Sequence, residues 1–458
     1  DVNPTTITMD SNKAITANFE LGLKKVYHAG TGYSYNSIQE AIDADDVGTI
    51  FVCPGIYNED LVFNSKNLSV QSANPSDPEV VATTIIQGSG SGSVVQFLNG
   101  DTSHLAGFTI RGGSAMKGGG IYIEESSPHI EVNVITDNTA NQGGGIYIYD
   151  NSNPLIGGNT ITGNTGTITS GGIEVYANSA PLIVNNIISN NRGDIGGGMK
   201  VDSGSSPTIN LNTIIGNSAS DDGGGIHISY SDDSIISNNT IIGNTSDHYG
   251  GGLHVAYNSP DISGNTIRDN LAIEGGGGIY LYDSSSVLIE NTISGNTSQS
   301  TGGGIWIDES GYPNISSNDI TNNDAPHGGG IYVSESTPYI NDNNIESNSA
   351  VWGAGIGSFD SYLQVTNNDF INNMALNYGG GIYVYILSNG DLTPYDPRPT
   401  GWGNSGDGDY RQNIPTMMLD PADGVEYFIA DNKFLGNKHE NSGSGYQYSE
   451  GAHVYFDY

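Results

Sequence analysis

Residue types suited to proton transfer stand in one register of this chain. Glu174, Lys200, His227 and His254 each occupy the second position after a glycine that recurs every 25 to 27 residues. A carboxylate, an amine and two imidazoles on neighbouring turns could serve as general acid and base, and the two imidazoles could share a metal ion. Plain surface decoration is the competing reading. Elsewhere the same position holds rings: Tyr122, Tyr147, Tyr280, Trp306, Tyr332 and Tyr383. An outward column of rings about 4.8 Å apart suits the flat faces of sugars or of a protein partner. Rings that merely stabilise exposed strands are the alternative. Just ahead of the glycines lie Asp194, Asp221, Asp222, Asp247 and Glu274. Stacked carboxylates repel unless a cation sits between them. Ca2+, which takes about six to eight oxygens, suits that arrangement; a solvated acidic edge that discourages lateral association is the other reading.

The elements that must position these residues follow from the repeat. A Gly-rich step followed by a short aliphatic strand occurs eleven times, its last glycine running from Gly120 and Gly145 to Gly355 and Gly381. A second signal, Asn-x-[Ile/Phe]-x-x-Asn, keeps phase with it, as in Asn133–Asn138 and Asn212–Asn217. It returns displaced by an insertion at Asn432–Asn437. Four positions per repeat are aliphatic, at spacings of two within short runs, which means strands. A unit this short cannot bury its own apolar side and must stack on its neighbours. The expected fold is all-β: a right-handed parallel β-helix of about 26 residues and three short strands per coil, each coil advancing about 4.8 Å. Glycines serve the sharp turns, and the asparagines should form amide ladders between coils.

Composition narrows the partners. Against 50 acidic residues there are 13 Lys and Arg, for a formal charge of −37. Such a surface repels a phosphate backbone, so nucleic acid is excluded as a partner. A single cysteine excludes an internal disulfide, and no apolar run is long enough for a membrane-spanning segment. Asp1 is followed by no signal-peptide pattern, and the expectation is that any export signal is removed or that the chain is cut from a longer one.

The phrases Gly118-Gly-Gly-Ile-Tyr-Ile123, Ser126-Ser-Pro-His-Ile130 and Asn133-x-Ile resemble the extracellular β-helix repeats of the pectin-lyase-like superfamily. Ser37-Ile-Gln-Glu-Ala-Ile-Asp-Ala44, followed by Ile50-Phe-Val-Cys-Pro-Gly-Ile-Tyr-Asn-Glu59, resembles the opening of such domains. The resemblance implies the fold and an extracellular or cell-surface location. It does not select an activity, since that superfamily includes lyases, hydrolases, epimerases, adhesins and structural proteins. Residues 1–20 resemble the closing hairpin of a divergent internalin-type B-repeat, either a remnant or strands that complete another subunit's sheet.

Five regions are expected: an N-terminal β arm (1–24), a capping helix with irregular opening coils (25–113), regular coils (114–388), an insertion loop (389–425), and a final coil with a C-terminal cap (426–458). Ile38, Ala41 and Ile42 share one face of the helix, with Ser37 in the N-cap position.

Two functions compete. An enzyme acting on uronic acids needs a cationic groove, yet Lys117, Arg192, Lys200 and Arg268 form no single line along the regular coils. The uniform repeat also breaks only at 389–425. The expected function is therefore a secreted structural or adhesive protein: a stalk, sheath or filament subunit whose aromatic face binds extracellular glycan or a copy of itself. A polysaccharide lyase or glycoside hydrolase is the alternative.

Overall fold

Apolar side chains two apart, punctuated by asparagine, build a coil that closes on its neighbours. The fold is described by a computed structural model covering residues 26–44, 47–231, 233–385, 417–419, 426–439 and 454–457. The expected N-terminal arm, and the insertion apart from Met417–Leu419, lie outside the described residues.

One coil shows the plan. It contains strands Thr208–Asn210, Thr213–Ile215, Ser218–Ala219 and Ile226–Ser229. Each pairs in parallel with its counterpart on the next coil, as in Thr208↔Ile235 and Ile226↔Leu253. The chain is thus a parallel β-solenoid, and among the described residues its four sheets hold 17, 14, 12 and 14 strands, with antiparallel pairs only at the two ends of the first. Four strands per coil replace the three expected. The additional ladder is the third, only two residues wide in coils such as Ser218–Ala219, too short to produce an alternation of apolar and polar residues.

Four corners accompany four strands. In this coil they are Leu211, Gly216, Gly223 and Tyr230, with φ of 58°, 64°, 68° and 47°. The left-handed region costs a non-glycine residue about 1–2 kcal/mol, so Leu211 and Tyr230 are held there by what surrounds them. Directly after the first two corners come Asn212 and Asn217, each 1% exposed. Asn212 Oδ1 accepts from both the backbone N–H and the Nδ2 of Asn186, while its own Nδ2 donates to Ile183 O and Asn239 Oδ1. The same exchange runs to Asn432 and Asn437, across the insertion. The expected amide ladders are present in two columns. A third ladder, of serines, stands at another corner, where Ser152, Ser179 and Ser205 pass backbone N–H bonds to hydroxyls one coil away.

Inside the coil the four aliphatic columns form one core. Ile209, Ile214, Ile226 and Ile228 are fully buried, as are their counterparts from Val52 to Val384. The opening is closed by helix Ile38–Ala44, whose Ile38, Ala41 and Ile42 face the core. Ser37 Oγ accepts from Glu40 N, as expected of an N-cap, and the Glu59 carboxylate accepts from Ile38 N and Gln39 N. Parallel pairing reaches back through the opening coils to Val47–Val52. At the other end, Glu426–Ala430, Lys433–Leu435, Lys438–His439 and Val454–Asp457 add a final coil.

Candidate functional site

The fourth ladder carries the residues singled out above, and its pairing sets them in a line: Glu174↔Lys200, Lys200↔His227, His227↔His254, His254↔Tyr280, Tyr280↔Trp306 and Trp306↔Tyr332. They point away from the core, as alternation requires. They are nevertheless not the exposed column expected from that alternation. Glu174 is fully buried, and Tyr147, Tyr280, His254, His227 and Lys200 are between 1% and 9% exposed. Tyr122, Trp306, Tyr332 and Tyr383 are half-buried.

The cover comes from the segment between the third ladder and the Gly step. Gly223 and Gly250 take positive φ and swing that segment over the outer face; a Cβ on either would lie 2.7 Å from the Cβ of His227 or His254. Tyr249 stacks on Tyr280 with ring centroids 4.8 Å apart. Trp306 lies against Gly275, where a Cβ would come within 1.9 Å of the indole. Lys117 Nζ lies over Tyr147 and Tyr149, 5.0 and 4.3 Å from the ring centroids.

Along the line, the polar groups sort into three clusters. In the first, Lys200 Nζ pairs with Asp202 at 2.9 Å, and Glu174 accepts from the Thr169 hydroxyl. Burial pushes the Glu174 carboxyl above its usual range, with the Thr169 bond and the Lys200 charge opposing by less. Such a group favours folding below its unfolded value, and that contribution is lost as pH rises through the folded value. Glu174→Gln is therefore expected to raise stability at neutral pH by on the order of 1 kcal/mol and to leave it unchanged near pH 4, read from urea midpoints across a pH series. An equal gain at both ends would rule out ionisation as the cause.

The second cluster holds His227 and His254, ring centroids 4.6 Å apart. His227 Nε2 lies 3.2 Å from Ser229 Oγ, and its Nδ1 is buried without a hydrogen-bond partner. Burial holds the His227 imidazole well below its ordinary pKa, reinforced by the charges of His254 and Lys200. His254 Nδ1 stands 3.3 Å from Asp222 Oδ2, close enough for charge pairing but without hydrogen-bond alignment. Alongside, His248 Nδ1 meets Asp221 Oδ1 at 2.5 Å, a bond that raises the imidazole's pKa.

The third cluster is aromatic. Tyr280 donates its hydroxyl to Asp308 Oδ2 at 3.0 Å, Ser334 Oγ donates to Asp308 Oδ1 at 2.5 Å, and Trp306 Nε1 donates to Ser334 Oγ at 2.9 Å. The Tyr280 and Trp306 rings lie 4.8 Å apart. Burial, with the Asp308 charge, holds the Tyr280 phenol far above its usual range.

Of the acidic set read as stacked cation ligands, only Asp221 and Asp222 join groups with metal-ligand spacing among the described residues, and their companions are histidines: Asp222, His227 and His254, and Asp221, Asp222 and His248. Asp194 instead accepts from Ser220 Oγ. Neither Asp247 nor Glu274 is in either group. Tyr147 and Tyr280 are too covered to present a whole ring face. Two exposed rings stand one corner further on, at Tyr230 and Tyr257, 58% and 43% exposed and stacked at 4.8 Å. Asp202, Asp308, Ser334 and Tyr249 also belong to the site; each lies within the repeat, beside the Gly step or at a strand end, where the repeat interval marks the neighbouring column and not these positions.

A family model described as "Right handed beta helix region" matches residues 93–272 and 251–393. A search of curated proteins gives no match. Among solved structures, the chain is similar to the Azotobacter vinelandii mannuronan C-5 epimerase AlgE6 A-module at 14% identity, over 76% of this chain and 92% of that one, with a TM-score of 0.35. It is similar to a mannuronic acid specific polysaccharide family 6 lyase from human gut microbiota at 11% identity, over 75% and 86%, with a TM-score of 0.34. A mutant of the periplasmic alginate epimerase AlgG follows at 12% identity, over 90% and 84%, with a TM-score of 0.32.

Proposed function

Because the chain belongs to the right-handed β-helix family, a rod whose outer face is free to carry a site, we propose that it binds an extracellular polysaccharide across Trp306 and Tyr332 and cleaves it by acid–base chemistry beside Tyr280 and Asp308. One observation carries this reading. Two partly exposed rings border a phenol and a carboxylate that are already joined by a hydrogen bond. Sugar rings stack on such faces, and glycosidic cleavage needs a placed proton donor. Asp308 holds the Tyr280 hydroxyl in position, and the Trp306–Ser334 bond holds Asp308. The chain's charge is against a polyanionic substrate, so weakly charged glycans or Ca2+-neutralised ones fit best. Among the described residues no helix is long and apolar enough to cross a membrane.

The test is a panel of neutral and acidic polysaccharides, with and without Ca2+, assayed for new reducing ends and for unsaturated products. Cleavage is expected on at least one. On that substrate Trp306→Ala should raise KM about tenfold through lost stacking, and Tyr280→Phe should lower kcat at least about 100-fold. Binding without cleavage would overturn the enzymatic reading in favour of an adhesive or structural protein, a role that the stacked, exposed Tyr230 and Tyr257 would also suit.

A further inference from the structure

The imidazole pair is more than an extension of the aromatic cluster. His227 Nδ1 is a buried nitrogen with no hydrogen-bond partner, in a protein that satisfies buried asparagines across two entire ladders. Buried polar atoms are rarely left unpaired, and an unmet one asks for an explanation, such as a bound ion; of the eight such atoms among the described residues, the Nδ1 atoms of His227 and His254 stand in one cluster. Its surroundings have the chemistry of a metal site. One ligand atom each from Asp222, His227 and His254 lie within 4.8 Å of one another. A tetrahedral ion with bonds of about 2.0–2.1 Å sets its donors about 3.3 Å apart, and His254 Nδ1 to Asp222 Oδ2 is 3.3 Å.

The second layer of contacts fits too. Metal-bound imidazoles engage their other nitrogen with a neighbouring polar group, and ligating carboxylates are themselves hydrogen-bonded. His227 Nε2 meets Ser229 Oγ at 3.2 Å, which leaves Nδ1 free to ligate. Asp222 Oδ1 accepts from Tyr249 N at 3.2 Å, while Oδ2 faces His254. The nearby Lys200 ammonium is paired with Asp202. Asp222 is partly open to solvent, its side chain 20% exposed, so an ion can arrive and retain a water.

We propose that Asp222, His227 and His254 bind a divalent transition-metal ion, Zn2+ by donor preference, in a three-ligand site with an open fourth position. Two nitrogens and one carboxylate suit Zn2+, whereas Ca2+ requires more oxygens than this trio supplies. The site spans two adjacent coils, from the loop and strand of one to the strand of the next, so the ion also clamps coil to coil. The inference does not rest on polysaccharide cleavage, and its test uses no glycan.

The whole chain, stripped with a chelator, is titrated with Zn2+ by calorimetry and with Co2+ by visible absorption. One equivalent of Zn2+ is expected, with Co2+ giving the intense d–d band of a four-coordinate ion and Zn2+ raising the thermal midpoint. Asp222→Asn, at a partly exposed position, and His254→Gln should each weaken binding by at least about 100-fold, and Ser229→Ala by about tenfold. His248→Ala should bind as wild type. Circular dichroism of each variant confirms that the coil has formed. Zn2+ binding weaker than about 1 mM, undiminished binding by folded Asp222→Asn and His254→Gln variants, loss of binding in His248→Ala, or preferential binding of Ca2+ would each overturn the site.

Discussion

Replacing Asn217 with alanine is expected to destabilise the solenoid by about 3–6 kcal/mol, because it orphans buried groups on two neighbouring coils. Asn217 Oδ1 accepts from Asn191 N at 3.0 Å and Asn191 Nδ2 at 3.1 Å. Its Nδ2 donates to Ile188 O at 2.9 Å and to Asn244 Oδ1 at 3.0 Å. Alanine removes all four bonds and supplies no room for compensating water, since the site is 1% exposed. Asn217→Asp should be worse at neutral pH. A carboxylate can still accept from Asn191, but it cannot donate to Ile188 O, and it sets a charge against Asn244 Oδ1. Acid should recover part of that loss, since the protonated acid regains one donor. Urea melts of both variants at pH 7 and pH 4 give the comparison; an alanine variant within 1 kcal/mol of wild type would show that the ladder is dispensable.

The second large effect is expected at Gly224. An added Cβ there would lie 2.4 Å from Thr245 O and 2.5 Å from Gly251 O, both backbone atoms of the next coil. Neither can retreat without opening the parallel ladder, so Gly224→Ala should cost at least about 3 kcal/mol or prevent folding. Gly243 supplies the contrast. Its φ is +60°, yet nothing lies within 4 Å of the Cβ position. Gly243→Ala therefore incurs only the left-handed penalty, about 1–2 kcal/mol. Denaturation of the pair separates crowding from backbone strain: equal losses would mean that close packing between coils is not what the Gly step provides.

The winding was legible because one short pattern repeats. Isoleucines such as Ile226 and Ile228 declare two strand positions, and Asn212 and Asn217 declare the corners beside them. Ser218–Ala219 was not legible as a strand, since two residues carry no period. The line from Glu174 through His254 was readable from the repeat interval alone. Its burial was not, because that depends on the segment ahead of Gly223 and Gly250 folding back, a matter of φ and of which ring meets which. The contact of Asp222 with His254 crosses coils diagonally, from a loop to a strand, and the path of that loop sets the register. Asp308 escaped notice for a similar reason: its partners Tyr280 and Ser334 lie on the coils to either side.

A mechanical property follows from hydrogen bonds that join each coil to the next along the rod. Tension applied end to end opens these ladders like a zipper instead of shearing many at once. With 25 to 27 residues in each coil, one opened turn releases roughly 80–95 Å of chain. The rod would lengthen under load in near-equal increments from its ends inward, dissipating force as a molecular shock absorber, and an ion bridging two turns near the middle would be a knot at which that extension stalls.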